Sequence, residues 1–251
     1  MTGSGLVTQF YLEGMPDTPI AIFSSSLGTT HELWDTNLEA LVPRLQLVRY
    51  DHPGHGASPV PAEPIGVAEL GAGVVQMLDR LELERVSFCG LSLGGCVGMW
   101  IAAHFPQRIE RLVLACTSPR FGTHESWLER AQTVREGGME AIADAVLEGW
   151  VSPDNPHRDE LRAMLLATPP EGYARCCEAL ADFDARNWLG RIEAPTLVIR
   201  GADDPAVSRD DIALLTERIP DSRLVETPDA RHLANVDRPD AFDAAVLGFL
   251  A

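Results

Sequence analysis

The stretch Arg85-Val86-Ser87-Phe88-Cys89-Gly90-Leu91-Ser92-Leu93-Gly94-Gly95 decides the reading of this chain. An apolar run leads into Gly-x-Ser-x-Gly, and a helix-forming sequence follows at once. That order predicts a strand, a sharp turn carrying one serine, and a helix. Each part has a chemical purpose. The tip of the turn exposes the Ser92 hydroxyl, and the glycines leave room for the close strand and helix. The first helix N–H groups point to where an oxyanion forms when the serine attacks an acyl carbon. The motif is short enough to recur by chance in a chain with 21 glycines, so its surroundings carry the argument. Leu112-Val113-Leu114-Ala115 reads as a further buried strand. Leu93 to His104 reads as the helix between them, with Val97, Ile101 and Phe105 at helical spacing.

Outward from this stretch, strand and helix patterns alternate. Leu6–Leu12, Ile20–Phe23 and Leu45–Tyr50 read as strands, and Val67, Leu70, Val74, Leu78 and Leu81 form a helical stripe. Arg111–Cys116, Pro195–Arg200 and Ser222–Glu226 read as later strands, and Phe242, Val246 and Phe249 mark a closing helix. Such alternation predicts an α/β fold: a mostly parallel sheet with helices on both faces. From about Ser118 to Ile192 there is no strand-like run. Short amphipathic helices are expected around Trp127-Leu128-Ala131-Val134, Met139–Trp150, Leu161–Leu166 and Tyr173–Phe183. The chain therefore divides into a core, 1–117 and 193–251, and a helical cap insert, 118–192. A cap placed there roofs the carboxyl ends of the strands, where open α/β sheets bind ligands.

Composition narrows the function classes. The 251 residues are 45% hydrophobic, enough for a sizeable core. No apolar run reaches the roughly 18 residues of a membrane helix. Met1 to Gly14 lacks a basic cluster followed by an apolar stretch, so a cytoplasmic protein is expected. The formal charge of −17, from 37 acids and 20 bases, argues against nucleic acid as a partner. It also means that an anionic substrate needs a local cation. The five cysteines lack metal spacing and read as small buried hydrophobes. Asp51-His52-Pro53-Gly54-His55-Gly56-Ala57-Ser58 reads as a structural turn, and no metal is expected there.

A serine hydroxyl needs a base. In folds of this kind the order along the chain is serine, acid, histidine. His232 alone follows the late strand, whereas His31, His52, His55, His104, His124 and His157 precede the candidate acid. After Thr196–Arg200 comes Gly201-Ala202-Asp203-Asp204-Pro205, where either aspartate is placed to orient the histidine. Asp204 is favoured, with Asp203 as a turn residue. The oxyanion donors are expected to be the backbone N–H groups of Leu93 and of Leu27, the latter within Ser24-Ser25-Ser26-Leu27-Gly28-Thr29.

Asp51–Ser58, Gly90–Gly94, Gly201–Asp204 and His232 together resemble the α/β-hydrolase superfamily over the whole chain. Within it, Ser24–Thr29 with Trp34, Trp127-x-x-Arg130, Val134–Met139, Pro170–Cys177 and Ala230–Val236 resemble the 3-oxoadipate enol-lactonase family. Ser25 and Thr117-Ser118-Pro119-Arg120 depart from that family's usual pattern. The resemblance implies hydrolysis of a small anionic lactone in aromatic catabolism without a cofactor. It also implies a substrate pocket that includes Trp127, Arg130 and Trp150, with Arg130 as the cation. Without it, Arg130 reads as a solvated helix residue and Trp127 as packing between cap and core. Two alternatives accompany this reading. One is a carboxylesterase or cofactor-free perhydrolase with the same triad, and the other a non-catalytic binding protein on this fold.

Overall fold

The computed structural model describes residue 6 and residues 9–251. Seven strands form one sheet: β1 Phe10–Glu13, β2 Ile20–Ser24, β3 Gln46–Tyr50, β4 Val86–Leu91, β5 Ile109–Ala115, β6 Thr196–Gly201 and β7 Ser222–Thr227. Their order is β1-β3-β2-β4-β5-β6-β7. Only β1 is antiparallel to its neighbour, with Phe10 opposite Tyr50. The central strands β4 and β6 are buried at every residue, as strands covered on both faces must be. Helices α1 Leu38–Leu41, α2 Val67–Arg80 and α3 Leu93–His104 accompany the first five strands. After β5 come α4 His124–Gly137, α5 Glu140–Trp150, α6 Arg158–Ala167 and α7 Pro170–Ala181, with no strand among them. Then α8 Arg209–Arg218, α9 Ala234–Asp237 and α10 Pro239–Leu250 complete the chain.

The chain leaves β2 toward β3 on one side and returns to place β4 on the other. The loops after β2 and β4 therefore part company, leaving a crevice at the carboxyl end of the sheet. The register sets Ser24 beside Gly90, so the loop after β2 begins next to the serine turn. Helices α4 and α7 pack along each other, and Ala131 and Val134 of α4 and Tyr173, Ala174 and Cys177 of α7 are buried. All five cysteines are free and buried. No helix among the described residues is long and apolar enough to cross a membrane.

The strands differ from the sequence expectation mainly at their ends. The first runs from Phe10 to Glu13, and Val7 and Thr8 of the expected Leu6–Leu12 lie outside the described residues. Strand β5 begins at Ile109, because Ile109 pairs with Val86 across a register shift. The 3-10 turn His31–Asn37 and helices α1 and α9 are too short to show a helical period, and half of the residues of α8 are charged.

Candidate active site

Ser92 follows β4 directly and has φ +57° and ψ −114°. A residue with a side chain occupies that region only when its surroundings impose it. Here the Ser92 N–H donates to the Ala115 carbonyl at 2.9 Å. The Ser92 carbonyl accepts from Thr117 Oγ1 at 2.8 Å and from the Gly95 N–H at 2.9 Å. Helix α3 starts at the next residue, so the Leu93 N–H has no helical partner. Gly94 allows the loop after β2 to lie against α3. Its N–H donates to the Ser25 carbonyl at 3.1 Å, and a Cβ there would sit 2.1 Å from the Ser24 carbonyl oxygen.

That loop closes as a tight turn. The Thr29 N–H donates to the Ser26 carbonyl at 3.2 Å, and Gly28 has φ +81°, the signature of a type II turn. The Asp51–Ser58 motif braces it from below. His52 Nε2 donates to the Ser25 carbonyl at 3.0 Å, and His55 Nε2 accepts from the Gly28 N–H at 3.0 Å. Burial lowers the pKa of His52 to about 3 and of His55 to about 4, so both rings stay neutral, as the accepting Nε2 of His55 requires. Asp51 is buried beside them and accepts from the His31 N–H at 2.7 Å and the Ala57 N–H at 3.0 Å. The Leu27 N–H, between these anchored residues, makes no hydrogen bond among the described residues.

His232 lies on the loop between β7 and α9. Its Nε2 stands 2.8 Å from Ser92 Oγ, and its Nδ1 stands 3.0 Å and 3.2 Å from the two carboxylate oxygens of Asp204. Asp204 follows β6 and is held in turn by the Ala206 N–H at 2.8 Å. Asp203 is exposed, with its N–H on the Ala230 carbonyl. The structure therefore brings Ser92, His232 and Asp204 into one hydrogen-bonded chain and leaves Asp203 outside it. With Nδ1–H donating to the carboxylate, Nε2 carries the lone pair that the serine hydroxyl needs.

A cavity of about 390 Å³ opens above this chain. Ser26, Leu27, Ser92 and His232 form its floor, and Phe121, Trp127, Arg130, Val146, Trp150, Tyr173 and Leu180 supply most of the roof. Among the described residues no Asp, Glu or Lys lines it, and Arg130 brings its only full charge. The Arg130 guanidinium lies 5.4 Å from the centre of the Trp127 ring and has no ion pair or hydrogen bond among the described residues. Its neighbour on the same helix, Arg135, is by contrast fixed to Glu171 at 2.7 Å and Glu178 at 2.6 Å.

A family model described as the alpha/beta hydrolase fold matches residues 19–154 and 154–239. The chain belongs to the α/β-hydrolase family. It is 39% identical to 3-oxoadipate enol-lactonase 2 of Acinetobacter baylyi over 98% of this chain and 94% of that one. It is also 32% identical to a RutD-type carbamate hydrolase of Caulobacter sp. (strain K31), over 99% and 98%. Among solved structures, the enol-lactonase from Burkholderia xenovorans LB400 superposes with a TM-score of 0.93 at 37% identity, covering 96% of this chain and 95% of that one.

Two features of this α/β-hydrolase site were not read from the sequence. His52 and His55 hold the turn that carries Leu27, although the turn itself was legible from its Pro and Gly. Tyr173 lines the cavity, is 1% exposed, and its hydroxyl has no hydrogen-bond partner among the described residues. Its ring edge borders Gly28, where an added Cβ would lie 3.0 Å from Tyr173 Cε2. Helical spacing shows only that Tyr173 faces the core, and it does not show that the core at that point is a cavity.

Proposed function

We propose that this hydrolase opens 3-oxoadipate enol-lactone to 3-oxoadipate with Ser92, His232 and Asp204 as its catalytic residues. The observation that carries the reading is Arg130, a cation with no ion pair or hydrogen bond among the described residues, in a cavity that no described acid lines, facing that hydrogen-bonded chain. In a protein of net charge −17, such a site suits a ligand bearing its own carboxylate.

In this mechanism Ser92 Oγ attacks the lactone carbonyl carbon while His232 Nε2 takes the hydroxyl proton. Asp204 holds the imidazole in the tautomer that accepts it and stabilises the imidazolium. The tetrahedral oxyanion sits between the Leu27 and Leu93 N–H groups, each of which contributes about 3–4 kcal/mol in sites of this type. The ring C–O bond then breaks. The departing oxygen is that of an enol, a better leaving group than an alkoxide, and it takes the proton back from His232. Water attacks the acyl-enzyme as His232 takes its proton, the carboxylic acid leaves, and Ser92 regains its hydrogen. The released enol tautomerises to the ketone. Arg130 holds the remote carboxylate throughout, with the Tyr173 hydroxyl as a second donor, and Trp127 and Trp150 shape the apolar walls.

The test is spectrophotometric. The enol-lactone is generated in situ and its ultraviolet absorbance is followed with the protein and with a Ser92→Ala control. Loss of absorbance only with the parent protein supports the reading, and no enzyme-dependent loss overturns it. A second reading, hydrolysis of a neutral ester or carbamate, is favoured by the apolar walls of Phe121, Val146 and Leu180 and by the likeness to a carbamate hydrolase. Arg130→Ala separates the two, since it spares turnover of an uncharged substrate.

A further inference from the structure

The loop that carries His232 is fastened to the roof of the cavity rather than to the sheet alone. The His232 N–H donates to the Gly149 carbonyl at 3.3 Å, and the Leu233 N–H donates to the Trp150 carbonyl at 2.8 Å. Both carbonyls belong to the last turn of α5, where no helical N–H remains to claim them. Gly149 and Trp150 also line the cavity, so one short segment touches the ligand space and supports the histidine.

Asp237 lies at the centre of this junction. It is 6% exposed, yet it forms no ion pair among the described residues. Its Oδ2 accepts from the Arg231 N–H at 2.8 Å, one residue before His232. Its Oδ1 accepts from the Ser152 N–H at 2.9 Å and from Asn155 Nδ2 at 3.0 Å, both just beyond α5. Asn155 Nδ2 also reaches the Val236 carbonyl at 3.3 Å. A buried carboxylate without a cation is costly unless several N–H donors surround it, as they do here. Each of its oxygens serves a different side of the junction. A neutral amide has one acceptor oxygen and cannot serve both.

We infer that Asp237 is a positioning residue that clasps the His232 loop to the end of α5, so that imidazole and cavity roof keep a single geometry. The inference rests on the catalytic reading of Ser92 and His232 but not on the identity of the lactone. Asp237 is about five residues from the imidazole and touches neither the nucleophile nor the ligand space. Its effect passes through the backbone at Arg231, and a displacement of the base by about 1 Å is enough to cost some 100-fold in rate.

The experiment compares the parent protein with Asp237→Asn and with Asn155→Ala, which removes one donor and leaves the carboxylate in place. Ser92 is labelled with a fluorophosphonate, and kcat and KM are measured with a p-nitrophenyl ester. Folding is checked by circular dichroism. In folded Asp237→Asn, labelling rate and kcat fall together by about 10- to 100-fold, and KM stays within about twofold. Asn155→Ala shows the same split at about threefold. Parental labelling and kcat in folded Asp237→Asn overturn the inference, as does a loss confined to KM. If Asp237→Asn does not fold, Asn155→Ala decides, and a parental kcat there overturns it. A parent protein that is not labelled at Ser92 overturns the catalytic reading together with this inference, whereas a labelled parent with unimpaired variants overturns this inference alone.

Discussion

The floor and the roof of the cavity are built in different ways. On the floor nearly every polar group is committed inside the fold. Ser92 is fixed through its N–H and carbonyl, and the Ser24–Thr29 turn is pinned by Gly94, His52 and His55. What remains without a partner in the fold there, among the described residues, is the Ser26 hydroxyl and the N–H groups of Leu27 and Leu93, while the Ser92 hydroxyl meets only His232. On the roof fewer polar groups are committed: the Trp127 indole N–H donates to the Phe121 carbonyl, but Arg130 only stacks on the Trp127 ring, and neither Arg130 nor Tyr173 has a side-chain hydrogen bond or ion pair among the described residues. A rigid floor suits a reaction whose transition state varies little between acyl substrates. An uncommitted roof suits recognition, because its free groups are completed only by the correct ligand.

The largest test strikes the floor. Ser92→Ala is expected to lower kcat on the enol-lactone by about 10⁴- to 10⁶-fold with little change in KM. Residual turnover within tenfold of the parent in the absorbance assay would break the division, since the roof would then be catalysing. Arg130→Ala addresses the roof. Loss of a charge-assisted hydrogen bond of about 1.5–3 kcal/mol raises KM for the anionic lactone by about 10- to 100-fold. Turnover of p-nitrophenyl acetate should stay within about twofold, and an equal fall on both substrates would place Arg130 in the floor's machinery instead.

The pH dependence of stability sharpens the comparison from below. His52 and His55 have folded pKa values below the unfolded value of 6.5, so the unfolded chain binds protons that the folded one refuses. Stability is intact above pH 6.5 and falls as the pH drops toward about 4. Asp243 acts in the opposite sense, because burial raises its pKa to about 7 and protonation then favours the fold. The two histidines outnumber this one carboxyl, so the net effect is a loss of stability as the pH falls from about 6.5 toward 4. Urea midpoints at pH 7.5, 6.5 and 5.5 check this, and a profile that is flat below pH 6.5 shows that the turn's supports are not held neutral. The smallest effect is expected from Tyr173→Phe. It deletes one neutral hydrogen bond to the ligand, about 0.5–1.5 kcal/mol, and so lowers kcat/KM on the lactone by about three- to tenfold.

The floor was the more legible half for a physical reason. A strand, a strained turn and a helix within eleven residues leave local marks in sequence, and the order Ser92, acid, His232 follows from the topology. The choice between Asp203 and Asp204 depended on which carboxylate the turn aims inward, and neighbouring residues of one type carry no signal for that. The bracing by His52 and His55 spans more than 20 residues and shows only in three dimensions. The roof was legible as helices but hardly as a site. Trp127, Arg130 and Trp150 came from resemblance, and Tyr173 is indistinguishable in pattern from the Ala174 and Cys177 that pack beside it.

The bonds from the His232 loop to Gly149 and Trp150, and from Asp237 to Ser152, bear on how such proteins diversify. The helices between β5 and β6 enter and leave the sheet at neighbouring strands, which invites exchange of one roof for another by recombination. A graft here would inherit a docking obligation. Its second helix must end with two free carbonyls in the right place, followed by an N–H aimed at Asp237. Caps that meet this requirement can vary their inner faces freely, and caps that do not would deliver a new pocket above a misplaced base.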